Sequence, residues 1–177
     1  MPITPDTKNW TWVLERPCPE CGFDAASVDA ADVAARLREN AAAWPAVLQR
    51  PGVRERPDDA TWSSLEYAAH VRDVLRICTG RLELMLQRED PLFDNWDQDA
   101  TAVAERYGEQ DPAGVGAGIG SAASALAELF ETVDAAQWAR TGRRSDGAAF
   151  TVDSFARYVL HDLDHHVWDV TGMGATR

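Results

Sequence analysis

Residues 152–170 constrain the fold most. Val152, Phe155, Val159, Leu163 and Val170 recur at helical spacing and fall on one side of a helical wheel. A helix this long with one apolar side must lay it against other elements. Nothing in the chain alternates with period two for long enough to make a sheet, so the partners are expected to be helices. Three further segments supply them. The first begins at Ser27 or Asp29, where Asp29 and Asp32 suit a helix N-terminus, and continues through Val33, Leu37, Trp44 and Leu48; Pro45 predicts a kink or a break. The second runs from about Ser63 to Arg88. Ser63 and Glu66 have capping-box spacing, and Tyr67, Val74, Cys78 and Met85 share a face. The third opens at Asp111-Pro112 and ends near Val133. The last starts at Thr151 or Asp153 and stops at Thr171-Gly172.

Between these, Pro51 to Asp59 reads as a loop, Trp96 to Tyr107 as a short helical piece, and Trp138 to Gly147 as a loop or hairpin carrying Arg140, Arg143 and Arg144. The alternating Gly114, Gly116, Gly118 and Gly120 lack the G-x-G-x-x-G spacing and follow no strand, so they predict close helix approach or fraying. The expected fold is all-α: a four-helix bundle over residues 29–177, preceded by an N-terminal arm, residues 1–28. Met1 to Trp12 reads as an extended stretch pinned by Trp10 and Trp12.

The 177 residues suit one domain. A formal charge of −12 argues against nucleic acid, whose phosphates need cationic partners, and against an anionic membrane surface. Met1 to Lys8 lacks the pattern of a signal peptide, and no apolar run approaches the ~18 residues of a membrane span. Three cysteines are too few for a disulfide framework. A cytoplasmic protein is expected.

Three of the four histidines lie in the last helix: His161, His165 and His166. The fourth, His70, lies in the second. Two pairs have the i,i+4 spacing that stacks side chains one turn apart: His161/His165 and Asp162/His166. On the wheel Asp162 and His166 flank the apolar side, whereas His161 and His165 point roughly opposite, towards solvent or a loop. Bundle metal sites use inward-projecting residues of facing helices. The wheel therefore favours His70, Asp162 and His166 as ligands, with Asp73 and Glu66 one turn from His70 and able to orient its ring. Two imidazoles and one carboxylate suit zinc, nickel or iron and leave coordination positions open. The alternative is a polar, charged helix flank, with His70 a boundary histidine bonded to a neighbour.

The arm holds Pro17-Cys18-Pro19-Glu20-Cys21-Gly22, the shape of half a zinc knuckle, its glycine permitting the tight turn. No second C-x-x-C exists, and Cys78 reads as a buried helix residue. A metal pair, a redox pair and a plain turn with reduced cysteines all remain open. No G-x-S-x-G elbow, cysteine-protease signature or Walker motif is present.

The Trp62-Ser63-(x6)-His70 pattern opening one helix, with an acid or histidine, x3 and His in a C-terminal helix, resembles the DinB-like superfamily. That superfamily takes in the bacillithiol transferases and the N-terminal domain of mycothiol-dependent maleylpyruvate isomerases. The likeness spans roughly Ala30 to Val170 and leaves the C-P-E-C-G stretch outside. It implies an up-down-down-up four-helix bundle, often a homodimer, with a three-ligand divalent metal site. His70 matches the first ligand and His166, followed by Val167-Trp168-Asp169-Val170, the last. Asp162 takes the position where relatives have Glu or His. The implied activity is metal-dependent transfer or isomerisation with a mycothiol-type thiol on a small-molecule substrate. The alternatives are a non-catalytic metal-binding stress-response protein and a metal-dependent hydrolase. Arg140, Arg143 and Arg144 could hold an acidic substrate or the thiol's sugar, or form a solvated loop.

Overall fold

A computed structural model describes residues 9–173. The expectations for Met1 to Lys8 and for the last four residues lie outside that range. Four long helices, α1 (Val33–Leu48), α2 (Ser64–Gln87), α4 (Pro112–Glu131) and α5 (Val152–Thr171), form a bundle. Both α4 and α5 pack against α1 and α2. A short α3 (Gln98–Ala104) lies between α2 and α4. Leu37, Trp44, Leu65, Leu82, Ile119, Leu126, Phe155 and Leu163 fill the core. Burying a side chain of this size contributes about 1.5–3 kcal/mol.

Local chemistry sets the helix ends. Ser63 caps α2 in a reciprocal capping box with Glu66, and the Ser63 N–H donates to Glu66 Oε2 at 2.8 Å. Asp111 caps α4 by accepting from the Gly114 N–H at 2.7 Å, with Pro112 in the first turn. Thr151 caps α5, and Gly172 ends it with φ +68°. Helix α1 starts later than expected, because Asp29 caps a separate 3-10 turn, Ala30–Asp32. It runs unbroken through Pro45, whose missing N–H removes the one bond to the Ala41 carbonyl. Gly116 and Gly118 do permit close approach: a Cβ there would sit 3.1 Å from Leu48 Cδ1 and 2.9 Å from Arg72 Cδ.

Three expectations need correction. A small sheet exists, in the order β1 (Leu92–Phe93), β2 (Thr141–Arg144), β3 (Ala149–Thr151). β1 pairs parallel with β2, and β2 pairs antiparallel with β3 across a turn in which Gly147 has φ +97°. Strands of two to four residues are too short for a period-two signal, and β1 pairs with a segment about fifty residues away. Next, Trp10–Leu14 forms a 3-10 helix rather than an extended stretch, with Asn9 accepting from the Thr11 N–H. Last, α4 is by length and composition apolar enough to cross a bilayer; its Val115, Ile119, Ala123, Leu126 and Phe130 are buried in the bundle core.

Residues 9–28 pack on α5. Arg157 donates to the Ala25 carbonyl, and the Arg36 guanidinium lies 5.3 Å from the Phe23 ring centre while pairing with Asp164 of α5 at 2.9 Å. The arm thus covers the side of α5 that carries Arg157, His161 and His165.

Candidate metal centre

The Ser63 cap fixes where α2 begins and hence where His70, two turns in, projects. On the adjacent α5, Asp162 and His166 stand one turn apart. Their donor atoms and those of His70 all lie within 4.8 Å of one another. The His70 and His166 rings meet edge to face, with centroids 4.8 Å apart. His166 Nε2 is 3.5 Å from Asp162 Oδ1, and its Nδ1 is 2.9 Å from Asp169 Oδ2. The His70 ring is stacked on Trp96 at 5.3 Å and flanked by Trp62 at 5.1 Å.

Burial pushes the His70 imidazole down to about 3, with the neighbouring His166 acting in the same direction. His70 is therefore neutral, and its Nδ1 is buried without a hydrogen-bond partner. Burial alone would raise Asp162, but the hydrogen bond and charge of His166 outweigh it and hold the carboxyl well below the usual range. Burial would lower His166, yet hydrogen bonds to Asp162 and Asp169 lift it to about 10. Two imidazoles and an ionised carboxylate converge from two helices, and one imidazole nitrogen lacks a partner; this donor set fits a divalent transition ion. Binding would displace the His166 proton.

A cavity of about 660 Å³ opens onto these residues, within the range for a small-molecule site. The Asp162 side chain keeps 34% of its surface exposed, so the donor set is reached from the cavity. His70, Val74, Ile77 and Arg81 form one stripe of α2 along its wall. Arg81 was missed from sequence, although its i+11 spacing from His70 puts both on one face. Asp169 was missed as well; its signal was the i+3 spacing from His166. Of the three arginines considered, Arg144 alone lines the cavity, set there by β2 and paired with Asp146 at 2.8 Å. Arg140 donates to the carbonyls of Met85 and Arg88 near the end of α2, and Arg143 pairs with Asp90. Asp73 and Glu66 do not orient His70: Asp73 binds Arg72, Arg76 and Tyr107, and Glu66 binds Arg56 and the Ser63 cap.

Of the two surroundings expected for His161 and His165, solvent or a loop, the structure shows the loop. They are 3% and 8% exposed. The loop they face is the C-P-E-C-G turn, where the Cys18 N–H donates to the Phe23 carbonyl, the Gly22 N–H to the Cys18 carbonyl, and Gly22 has φ +76°. Donor atoms of Cys18, Cys21, His161 and His165 lie within 4.8 Å of one another, and all four residues are buried. Burial pushes His161 down to about 4 and the Cys21 thiol up to about 12. The wheel located the bundle-facing side of α5 but held no information about what covers the opposite side.

A model of the DinB superfamily matches residues 48–170. Among solved structures, YfiT from Bacillus subtilis superposes with a TM-score of 0.75 at 20% identity, covering 82% of this chain and 87% of that one. It is described as a probable metal-dependent hydrolase with an unusual four-helix bundle topology. No curated protein matches significantly.

Proposed function

The chain belongs to the DinB superfamily, and on that premise we propose that it is a metal-dependent enzyme of the thiol S-transferase or isomerase type. It takes a mycothiol-like thiol and a small electrophilic substrate. The observation that carries this is the convergence of His70, Asp162 and His166 on the wall of a 660 Å³ cavity, with a buried His70 nitrogen left unpaired. His70, Asp162 and His166 would hold zinc, nickel or iron. Such an ion supplies Lewis acidity and lowers the pKa of a thiol or water at its open position.

The chain's own residues do the rest. Asp169 holds the Nδ1–H of His166, fixing the tautomer that leaves Nε2 as the donor. Trp62 and Trp96 lock the His70 ring and keep water from it. Arg81 and Arg144 offer guanidinium donors to carboxylate or sugar oxygens of a ligand in the cavity. In this proposal the bundle has the up-down-down-up order of its relatives, and the protein works as a cytoplasmic homodimer without nucleic acid or membrane partners.

The description of YfiT favours a second possibility, hydrolysis with water as the nucleophile. One experiment separates the two. Metal-loaded protein and His70→Ala are assayed for conjugation of a chromogenic electrophile with mycothiol, with cysteine, and with no thiol, alongside hydrolysis of an activated ester. Conjugation that requires metal, mycothiol and His70 supports the proposal. Metal- and His70-dependent ester hydrolysis without a thiol effect selects the hydrolase. Tight metal binding with neither activity points to a non-catalytic metal-binding protein.

A further inference from the structure

The four-residue cluster between the arm and α5 has no part in the mechanism above, and its chemistry is specific. We propose that Cys18, Cys21, His161 and His165 form a structural zinc site that fastens the N-terminal arm to α5.

The donor spacing is close to that of four-coordinate zinc. Zn–S bonds of about 2.3 Å and Zn–N bonds of about 2.0–2.1 Å give tetrahedral edges of about 3.4–3.8 Å. The four donor atoms already lie within 4.8 Å, and Cys18 Sγ is 3.8 Å from His165 Nδ1. His161 is 3% exposed, and its Nε2 is buried with no hydrogen-bond partner. A buried unpaired nitrogen beside two buried thiols is a donor awaiting a ligand. Two thiolates also balance the charge of one Zn²⁺, so a neutral cluster is buried. Two sulfurs and two imidazoles with no position left open are the donor set of structural zinc rather than of a catalytic ion.

The surroundings agree. His165 has its other ring nitrogen, Nε2, 3.3 Å from Glu20 Oε2. Glu20 lies between the two cysteines, so the knuckle that supplies the sulfurs also supplies the carboxylate that orients an imidazole. The Trp10 ring covers His161 and His165 at 5.5 and 5.0 Å, and Phe23 meets the His161 edge at 5.5 Å. Trp10 and Glu20 also line the large cavity. The zinc clip therefore builds one wall of the cavity, while the neighbouring Asp162/His166 pair faces its interior. One helix carries two i,i+4 donor pairs a single residue out of phase, each serving a different site.

The test uses the full chain. Elemental analysis after zinc loading is expected to give two ions in wild type and one in His70→Ala, whose remaining ion sits on the cysteines. Loading with cobalt instead is expected to give an intense thiolate-to-cobalt charge-transfer band with tetrahedral ligand-field bands, in wild type and His70→Ala alike. In the double variant Cys18→Ser/Cys21→Ser the charge-transfer band should vanish, while cobalt at His70, Asp162 and His166 is retained. Because that variant could fail to fold, wild type is also titrated with a chromogenic thiol reagent before and after chelation. Two of the three cysteines should become reactive only after chelation, with buried Cys78 remaining protected. Cobalt-loaded wild type without a thiolate band, a Cys18–Cys21 disulfide in protein isolated without oxidant, or equal thiol reactivity with and without zinc would each overturn the proposal. Activity enters none of these readouts, so the site stands or falls separately from the reaction proposed above.

Discussion

Asp169 offers the sharpest quantitative test of the candidate metal centre. It lies one turn past His166, and its Oδ2 accepts the His166 Nδ1–H at 2.9 Å. Its other oxygen is 3.7 Å from His165 Nε2, so His166 is the main beneficiary. Residues that hold a metal-binding imidazole from behind typically contribute 10- to 100-fold in metal affinity. The structure predicts how that range divides. Asp169→Asn keeps the size and an accepting oxygen but loses the charge, and a charge-assisted hydrogen bond is roughly twice as strong as a neutral one. About tenfold weaker binding, near 1.4 kcal/mol, is expected. Asp169→Ala removes the acceptor and frees the ring to rotate, so the loss should approach 100-fold, near 2.8 kcal/mol. Competition between the metal-free protein and a chromogenic chelator measures both, with His70→Ala as the baseline for ions held elsewhere. Binding by Asp169→Ala within twofold of wild type, or a larger loss in Asn than in Ala, would refute the role of Asp169 as the support of His166.

Gly142→Ala tests the sheet: its Cβ would sit 2.7 Å from Met85 Cγ and 3.1 Å from Phe93 Cε1. Overpacking of about 1–3 kcal/mol should appear in chemical denaturation. Tyr107, 1% exposed, donates to Asp73 Oδ2 at 2.7 Å. Asp73 keeps Arg72 as a partner, so Tyr107→Phe should cost only about 1 kcal/mol by the same method. Burial pushes Glu66 up, but the Arg56 guanidinium and the Ser63 cap outweigh it and hold its pKa below the usual range. A depressed folded-state pKa means stability that is present above the unfolded value, ~4.3, and lost as pH falls through the folded one. The stability deficit of Arg56→Gln should therefore be full at pH 7 and shrink below pH 4 in pH-resolved denaturation; a deficit that grows in acid would contradict the pairing.

The helices and their ends were legible because their causes are local. Ser63 with Glu66, Asp111 with Pro112, and Thr151 each place a cap within three residues of the group it satisfies. The choice of His70, Asp162 and His166 needed only the angle of each side chain relative to its own helix's apolar side, and those donors are brought within 4.8 Å. What a single helix cannot report is the cover on its far side. Cys18 and His165 are 147 positions apart, so no motif of fixed spacing links the knuckle to its histidines. Docking of the arm buries two residues that the wheel left facing either solvent or a loop. The hairpin alternative near Trp138 to Gly147 holds as β2 and β3, but the same limit hid β1, whose pairing with β2 joins segments too short to show periodicity. Periodicity and capping, both local, were enough to read the four amphipathic helices and the direction in which Asp162 and His166 point from α5. What lies against the other face of α5 came from tertiary contacts alone, because it depends on residues more than a hundred positions apart.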